Sequence, residues 1–359
     1  MHIVLKQFFM AGILGGTWIV SAQAAPVYTS QVFATAPVGA SGPDSVTVGA
    51  GSVWVSYDGS SLSSDGSLPA GFSTVVRYSP TGAVQSTYQI AGDVDGLKYN
   101  SFTGLVWATQ NQDANSHLTL IDPATNALTG VNFAVTSPTQ GVDDVAFTAN
   151  GTYLSYTNPA AATDVTLQKV VDGTNPIAVT SLATAGTAGT NLVTGQSGYV
   201  PPTANTDSLK VAPNGDLVQT TGNRNTLAFI HNAGTASQTI GYLPLTSGGK
   251  AVSGTDDSMY LTSDTGRIYA AVTNTNQVLS IDYSGVTPNT LVASVGSLSA
   301  IGFIDPATGN VTPFVGGLSG VHGLALASPV PEPASLAALS VGLVGLLGLR
   351  RRRSTTRSI

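Results

Sequence analysis

Five aspartates recur in register along the chain, and they are its best candidates for chemistry. Asp44, Asp95, Asp144, Asp207 and Asp257 are spaced by 51, 49, 63 and 50 residues. Each precedes a short alternating apolar run and then a turn glycine, as in Pro43-Asp-Ser-Val-Thr-Val followed by Gly51-Ser-Val-Trp-Val, or Val94-Asp-Gly-Leu-Lys-Tyr followed by Gly104-Leu-Val-Trp-Ala. His322, in His322-Gly-Leu-Ala-Leu326, takes the Asp place in a sixth, C-terminal copy. Hard carboxylate oxygens with one imidazole would suit a cation, calcium first among them. Carboxylates brought face to face without a cation would raise one another's pKa. The competing reading is structural, with each Asp accepting backbone N–H groups in an Asx turn ahead of its strand.

Other constellations are weaker. The doublets Asp143-Asp144 and Asp256-Asp257 offer paired carboxylates, but neighbours on a regular strand point to opposite faces. A glycosidase needs two carboxyl groups across a sugar, and the domain between the termini has no glutamate. His117 and His231 stand alone, with no His pair at metal-ligand spacing. Ser247-Gly-Gly-Lys250 lacks the full phosphate-loop pattern. Trp54 and Trp107 fall at equivalent second-strand positions and are expected to pack between repeats. No catalytic residue is assigned.

The elements that must position these residues follow from the repeat. Each unit of roughly fifty residues reads as an Asp-led strand, a tight turn, a second strand rich in Val, Trp and Tyr, a third strand, a polar turn and a fourth strand. Asn150-Gly151 and Asn214-Gly215 are strong hairpin signals, and Leu120-Ile-Asp-Pro-Ala-Thr-Asn126 and Phe303-Ile-Asp-Pro-Ala-Thr-Gly309 are matching polar turns. Four strands repeated radially describe an all-β propeller over residues 25–329. Six blades are expected, the sixth assembled from both termini. In that reading Asp257 and Gly266 begin consecutive strands of the fifth blade, and 301–304 and 311–315 belong to the sixth. Seven blades is the alternative, because 160–202 is long enough to hold extra strands; an insertion loop is preferred there. The Val48-Gly-Ala-Gly-Ser-Val-Trp-Val55 segment and the Ile-Asp-Pro-Ala-Thr turns resemble YVTN, NHL and streptogramin-lyase-like propellers.

Charge sets the ends apart from the middle. The whole chain carries −6, yet between residues 25 and 329 seven bases face eighteen aspartates, leaving −11. So few bases argue against nucleic-acid binding. Zero cysteine excludes disulfides, thiolate metal sites and a cysteine nucleophile. Residues 1–24 read as a secretory signal: Lys6, an apolar stretch, then Ala22-Gln-Ala24 as the cleavage site. Residues 330–359 read as Val330-Pro-Glu-Pro333, a transmembrane helix over 334–349, and the cluster Arg350, Arg351, Arg352 and Arg353 in a 350–359 tail. Arginines directly after the span place that tail in the cytoplasm and the domain outside it.

The Pro331-Glu332-Pro333 motif, the short apolar segment and the terminal arginines resemble the PEP-CTERM sorting signal. Glu332 is the only glutamate in the chain. The resemblance implies processing by an exosortase, a membrane-embedded cysteine peptidase, in a Gram-negative host that makes exopolysaccharide. It implies transient anchoring in the inner membrane, then the cell surface or matrix, with extracellular polysaccharide as a partner. The expected function is a non-enzymatic exported binding or structural propeller. The alternative is an extracellular hydrolase or lyase with a cation-dependent site at the acidic mouth of the channel.

Overall fold

The computed structural model describes residues 25–58, 71–110, 116–134, 141–157, 159–202, 206–221 and 225–327. The expected signal peptide with Ala22 and Ala24, the motif Pro331-Glu332-Pro333, the helix over 334–349 and the arginine cluster lie outside them. Among the described residues no helix is long and apolar enough to cross a membrane.

Six antiparallel blades surround a central channel. The first four follow chain order, with inner strands Pro43–Gly49, Val94–Asn100, Val142–Thr148 and Leu209–Val211. Burial explains the strand composition. A second strand such as Ser52–Tyr57 is buried along its whole length, because neighbouring blades cover both of its faces. The outermost Leu128–Asn132 is almost entirely exposed. Six apolar clusters form the core, one in each seam between blades. Trp54 is fully buried in the seam with Leu97, Val106 and Ile121 of the second blade, and Trp107 meets Phe147 of the third blade edge-on, so both pack between repeats.

The long segment 160–202 holds no seventh blade. Val165–Val171 and Ala178–Thr184 complete the third blade. The short hairpin Gly189–Asn191 and Ser197–Tyr199 then extends the outer edge of the fourth, with Gly189–Asn191 parallel to Thr239–Pro244. The preferred insertion loop is therefore partly a β-hairpin.

The last two blades are interleaved, which corrects the expected assignment. Thr255–Leu261 is the inner strand of the fifth blade, but Thr265–Val272 and Gln277–Ser284 cross into the sixth. The chain then returns to the fifth with Thr290–Val295, Ala300–Ile304 and Val311–Gly316. It finishes in the sixth with Val321–Leu326 as the inner strand, while the N-terminal Val27–Thr35 forms the outer one. The termini do close the ring, around a hairpin borrowed from the middle of the chain. A strand, a three-residue turn and a second strand look alike in sequence whether or not the second strand stays in the same blade.

Close approach of neighbouring inner strands fixes one glycine. A Cβ on Gly323 would run into the Asp44 carbonyl oxygen and lie 2.9 Å from the Ser45 Cα. A Cβ on Gly130 would meet nothing within 4 Å. Overpacking of this kind costs about 1–3 kcal/mol. Gly323→Ala is therefore expected to lower the thermal unfolding midpoint by several degrees, whereas Gly130→Ala leaves it nearly unchanged. Equal midpoints for the two variants would show that the seam is not tight.

Candidate functional site

A shared β-bulge builds the site. Pairing slips by one residue between Pro43 and Val46, Val94 and Leu97, Val142 and Val145, and Thr255 and Ser258. Two residues of each inner strand thus oppose one of its partner, which re-aims their side chains. The sixth blade shifts likewise across His322-Gly323, where pairing passes from Leu324↔Ala270 to Val321↔Val272.

The first bulge residue of these five blades faces the channel mouth, as does Asp207 just ahead of Leu209–Val211 in the fourth. The structure brings Asp44, Asp256 and His322 into one group and Asp95, Asp143 and Asp207 into another. Within each group, one ligand atom per residue lies within 4.8 Å of the others. Of the ring anticipated from sequence, Asp44, Asp95, Asp207 and His322 stand in these groups. Asp143 and Asp256 take the places expected of Asp144 and Asp257, because equivalence runs through the bulge. Aligning on the residue just before Ser45, Gly96, Ser208 and Gly323 would have found them.

Asp144 and Asp257 sit one position further along and do different work. Asp144 accepts from Val145 N–H at 2.8 Å and from Leu209 N–H of the next blade at 2.9 Å. Asp257 accepts from Ser258 N–H at 2.7 Å and from Leu324 N–H at 2.7 Å. Ser45 Oγ makes the matching clasp to Leu97 N–H at 3.1 Å. Two lysines hold this layer: Lys98 Nζ is 3.2 Å from Asp144, and Lys210 Nζ is 2.9 Å from Asp257 and 3.9 Å from Asp144. The Asp144 carboxyl sits below its ordinary pKa. Burial alone would raise it, but the two ammonium groups and the amide bonds outweigh that cost. Lys98 is lowered to about 8 by burial and by Lys210.

The channel therefore has two unlike mouths. The acidic one is a cavity of about 190 Å³ lined by nine aspartates, with Lys210 and His322 the basic side chains among its walls. Because of the bulge, both members of each Asp doublet line it, unlike neighbours on a regular strand. The opposite mouth is a cavity of about 280 Å³ with apolar walls including Val46, Val48, Met259 and Leu326 and with Lys98 and Lys210 at the dividing layer.

Burial and mutual repulsion perturb the acidic mouth. Asp44 is pushed up to about 6, chiefly by burial, against the pull of its hydrogen bond with His322. Asp58 rises to about 7 through burial, with Asp93 and Asp95 adding repulsion. Asp95 is raised well above the carboxylate range, again by burial first. His322 Nδ1 lies 3.0 Å from Asp44 and 3.5 Å from Asp256. The donor set of Asp95, Asp143 and Asp207 suits a hard cation. Oxygens about 2.4 Å from one ion lie at most about 4.8 Å apart, as calcium coordination requires. The polar turns after third strands are unrelated to this site. Asp122 and Asp305 each accept an amide two residues on and a Thr hydroxyl at 2.7 Å, which lowers their pKa values.

Comparison with known proteins adds one assignment and several likenesses. Residues 329–353 match the PEP-CTERM protein-sorting motif. The fold and the tail together define an all-β six-bladed propeller carrying that signal, which implies export, membrane-anchored sorting and exosortase processing. Among curated proteins none matches the sequence. Among solved structures, the periplasmic gluconolactonase PpgL of Pseudomonas aeruginosa is similar at 12% identity and a TM-score of 0.48, over 86% of this chain and 100% of its own. A protein of unknown function from Bacteroides caccae gives 9% and 0.44, over 79% and 86%. Virginiamycin B lyase from Staphylococcus aureus gives 9% and 0.40, over 72% and 99%.

Proposed function

We propose that this is an exported, exosortase-processed propeller of the cell surface or matrix that binds through a divalent cation at its acidic mouth. One observation carries the reading: aspartates from the inner strands converge on a single small cavity. Calcium is the ion that the all-oxygen group Asp95, Asp143 and Asp207 suits. Three carboxylates would not fill the roughly six to eight oxygen positions of a calcium ion, so hydroxyl or carboxylate oxygens of an extracellular polysaccharide could supply the rest. No covalent step is needed for this role. In isothermal titration the protein is expected to bind calcium, and Asp95→Asn and Asp207→Asn to weaken binding at least tenfold. Asp122→Asn, in a remote polar turn, leaves it unchanged. The same variants should lose calcium-dependent retention on alginate, a uronate polysaccharide used as probe. No calcium heat, or equal heat from all variants, overturns the reading.

A second reading has its own observation. His322 between Asp44 and Asp256 is arranged as a general base oriented by a carboxylate. That geometry favours a hydrolase or lyase at the same mouth. Turnover of an ester and polysaccharide panel that His322→Ala abolishes would establish it; calcium binding without turnover leaves the binding role.

A further inference from the structure

Both ends of the described chain leave the propeller on the face opposite the acidic mouth. The last inner strand, Val321–Leu326, starts with His322 at the acidic mouth and ends with Leu326 in the wall of the apolar one. Ala327 N–H then bonds the Arg267 carbonyl, where the neighbouring second strand begins. At the other end, Ala25 and Pro26 lie beside Thr290, the first residue of a second strand, whose far end Val295 pairs with Thr255 near the acidic mouth. The two sequences that address the membrane, 1–24 and 334–349, are thus joined to one face.

The C-terminal connection is short. Residues 328–333 separate Ala327 from Ala334, and seven extended steps reach about 24 Å. The connection starts at the channel rim, not at the outside of the disc. To turn the acidic mouth onto the bilayer, it would have to cross three strand spacings of about 4.8 Å to the blade edge. It would then have to climb the thickness of a six-residue strand, about 20 Å more. That path exceeds its reach. Electrostatics acts in the same direction, since nine aspartates at the acidic mouth are repelled by anionic headgroups.

We infer that, while its tail is attached, the propeller stands with the apolar-mouth face against the phospholipid headgroups and holds the acidic mouth away from the membrane. The inference rests on the membrane-anchored sorting that the tail motif implies, and not on the cation. A surface-displayed ligand site would then be accessible before the exosortase acts as well as after.

The chain has no cysteine, so single cysteines report cleanly. Val38 is exposed in the connection leading to the inner strand at the acidic mouth, and Phe102 is exposed in the turn at the end of Val94–Asn100. Full-length protein carrying Val38→Cys or Phe102→Cys is labelled with a fluorophore. It is then reconstituted in phosphatidylethanolamine–phosphatidylglycerol vesicles containing a headgroup nitroxide lipid as short-range quencher. Asn150→Cys, in the equivalent turn of the next blade, replaces Phe102→Cys should that variant fold poorly. Quenching at Phe102 or Asn150 is expected to exceed that at Val38 severalfold. Equal quenching, or stronger quenching at Val38, in vesicles that float with the protein overturns the orientation alone. Protein that does not float with the vesicles overturns the anchored reading and the orientation with it.

Discussion

In EDTA the folded protein is expected to lose stability as pH rises from about 4 to about 7, and calcium at pH 7.5 should restore it. Asp44 moves from 3.8 to about 6 and Asp58 from 3.8 to about 7, both chiefly through burial. A carboxyl raised in the fold binds protons more tightly there than in the unfolded chain. Between the two values the folded state holds more protons, so stability falls with rising pH. The fall begins near the unfolded value and is complete once pH passes the folded one. Asp256 and His322 face Asp44, while Asp93, Asp95, His322 and Asp256 face Asp58, so the transition is shared by the cluster. The lowered carboxyls of Asp122, Asp144, Asp282 and Asp305 act oppositely, but only below the ordinary carboxylate range, so they leave this window alone. Each unit of upward shift is about 1.4 kcal/mol. A drop in melting temperature of roughly 5 °C between pH 4.5 and 7.5 is therefore a modest expectation. Calcium competes instead with protons on its own ligand Asp95, whose carboxyl is also raised by burial, so its effect should be large at pH 7.5 and vanish near pH 4. A melting temperature that is flat or rising across the window would show that the carboxyls are not held up by the fold. A calcium effect independent of pH would place the ion elsewhere.

What the sequence reveals about this site, and what it hides, has a local cause. The strand–turn–strand repeat, the six blades and the clustering of recurring aspartates at one mouth are all legible, because period-two patterning and turn residues are written residue by residue. The ring's register is not. Counting from Asp44 and Asp95 makes Asp144 and Asp257 look equivalent to them, whereas the bulge promotes Asp143 and Asp256. A bulge adds one residue without any signature of its own, and a doublet offers two candidates for one place. The exchange between the last two blades is hidden for a related reason: Thr262-Ser-Asp264 would serve a hairpin equally well. One signal did mark the swap. The Ile-Asp-Pro-Ala-Thr turn joins third to fourth strands in the second blade, and its recurrence at Ile304–Thr308 identifies Ala300–Ile304 as another third strand. Long-range pairing, by contrast, is decided by which seam buries Leu261, Ile268 and Ile281 together.

Replacing Lys210 by Met is expected to be the most damaging single change in the channel. Its ammonium is 2.9 Å from Asp257 and 3.9 Å from Asp144, and both carboxylates are buried. Burial opposes its charge, yet the two carboxylates outweigh that and raise its pKa. Removing one partner of a buried pair strands the other charge, at a cost of roughly 3–5 kcal/mol. Lys98→Met should cost less, because Asp144 would keep Lys210 nearby. The origin of the loss is separable. Asp257→Asn removes the stranded charge while leaving an oxygen for Leu324 N–H, so Lys210→Met with Asp257→Asn should recover much of the stability lost by Lys210→Met alone. Denaturant unfolding of the two single variants and the double gives the coupling directly. A Lys210→Met cost below about 1 kcal/mol would mean that water screens the layer as it screens a surface pair. The consequence reaches the mouth above. Leu324 follows His322 by two residues and Leu209 follows Asp207 by two, so the same two clasps that Lys210 neutralises fix where those ring side chains point. Calcium affinity should therefore fall in Lys210→Met and return in part in the double variant, although Lys210 itself ligates nothing.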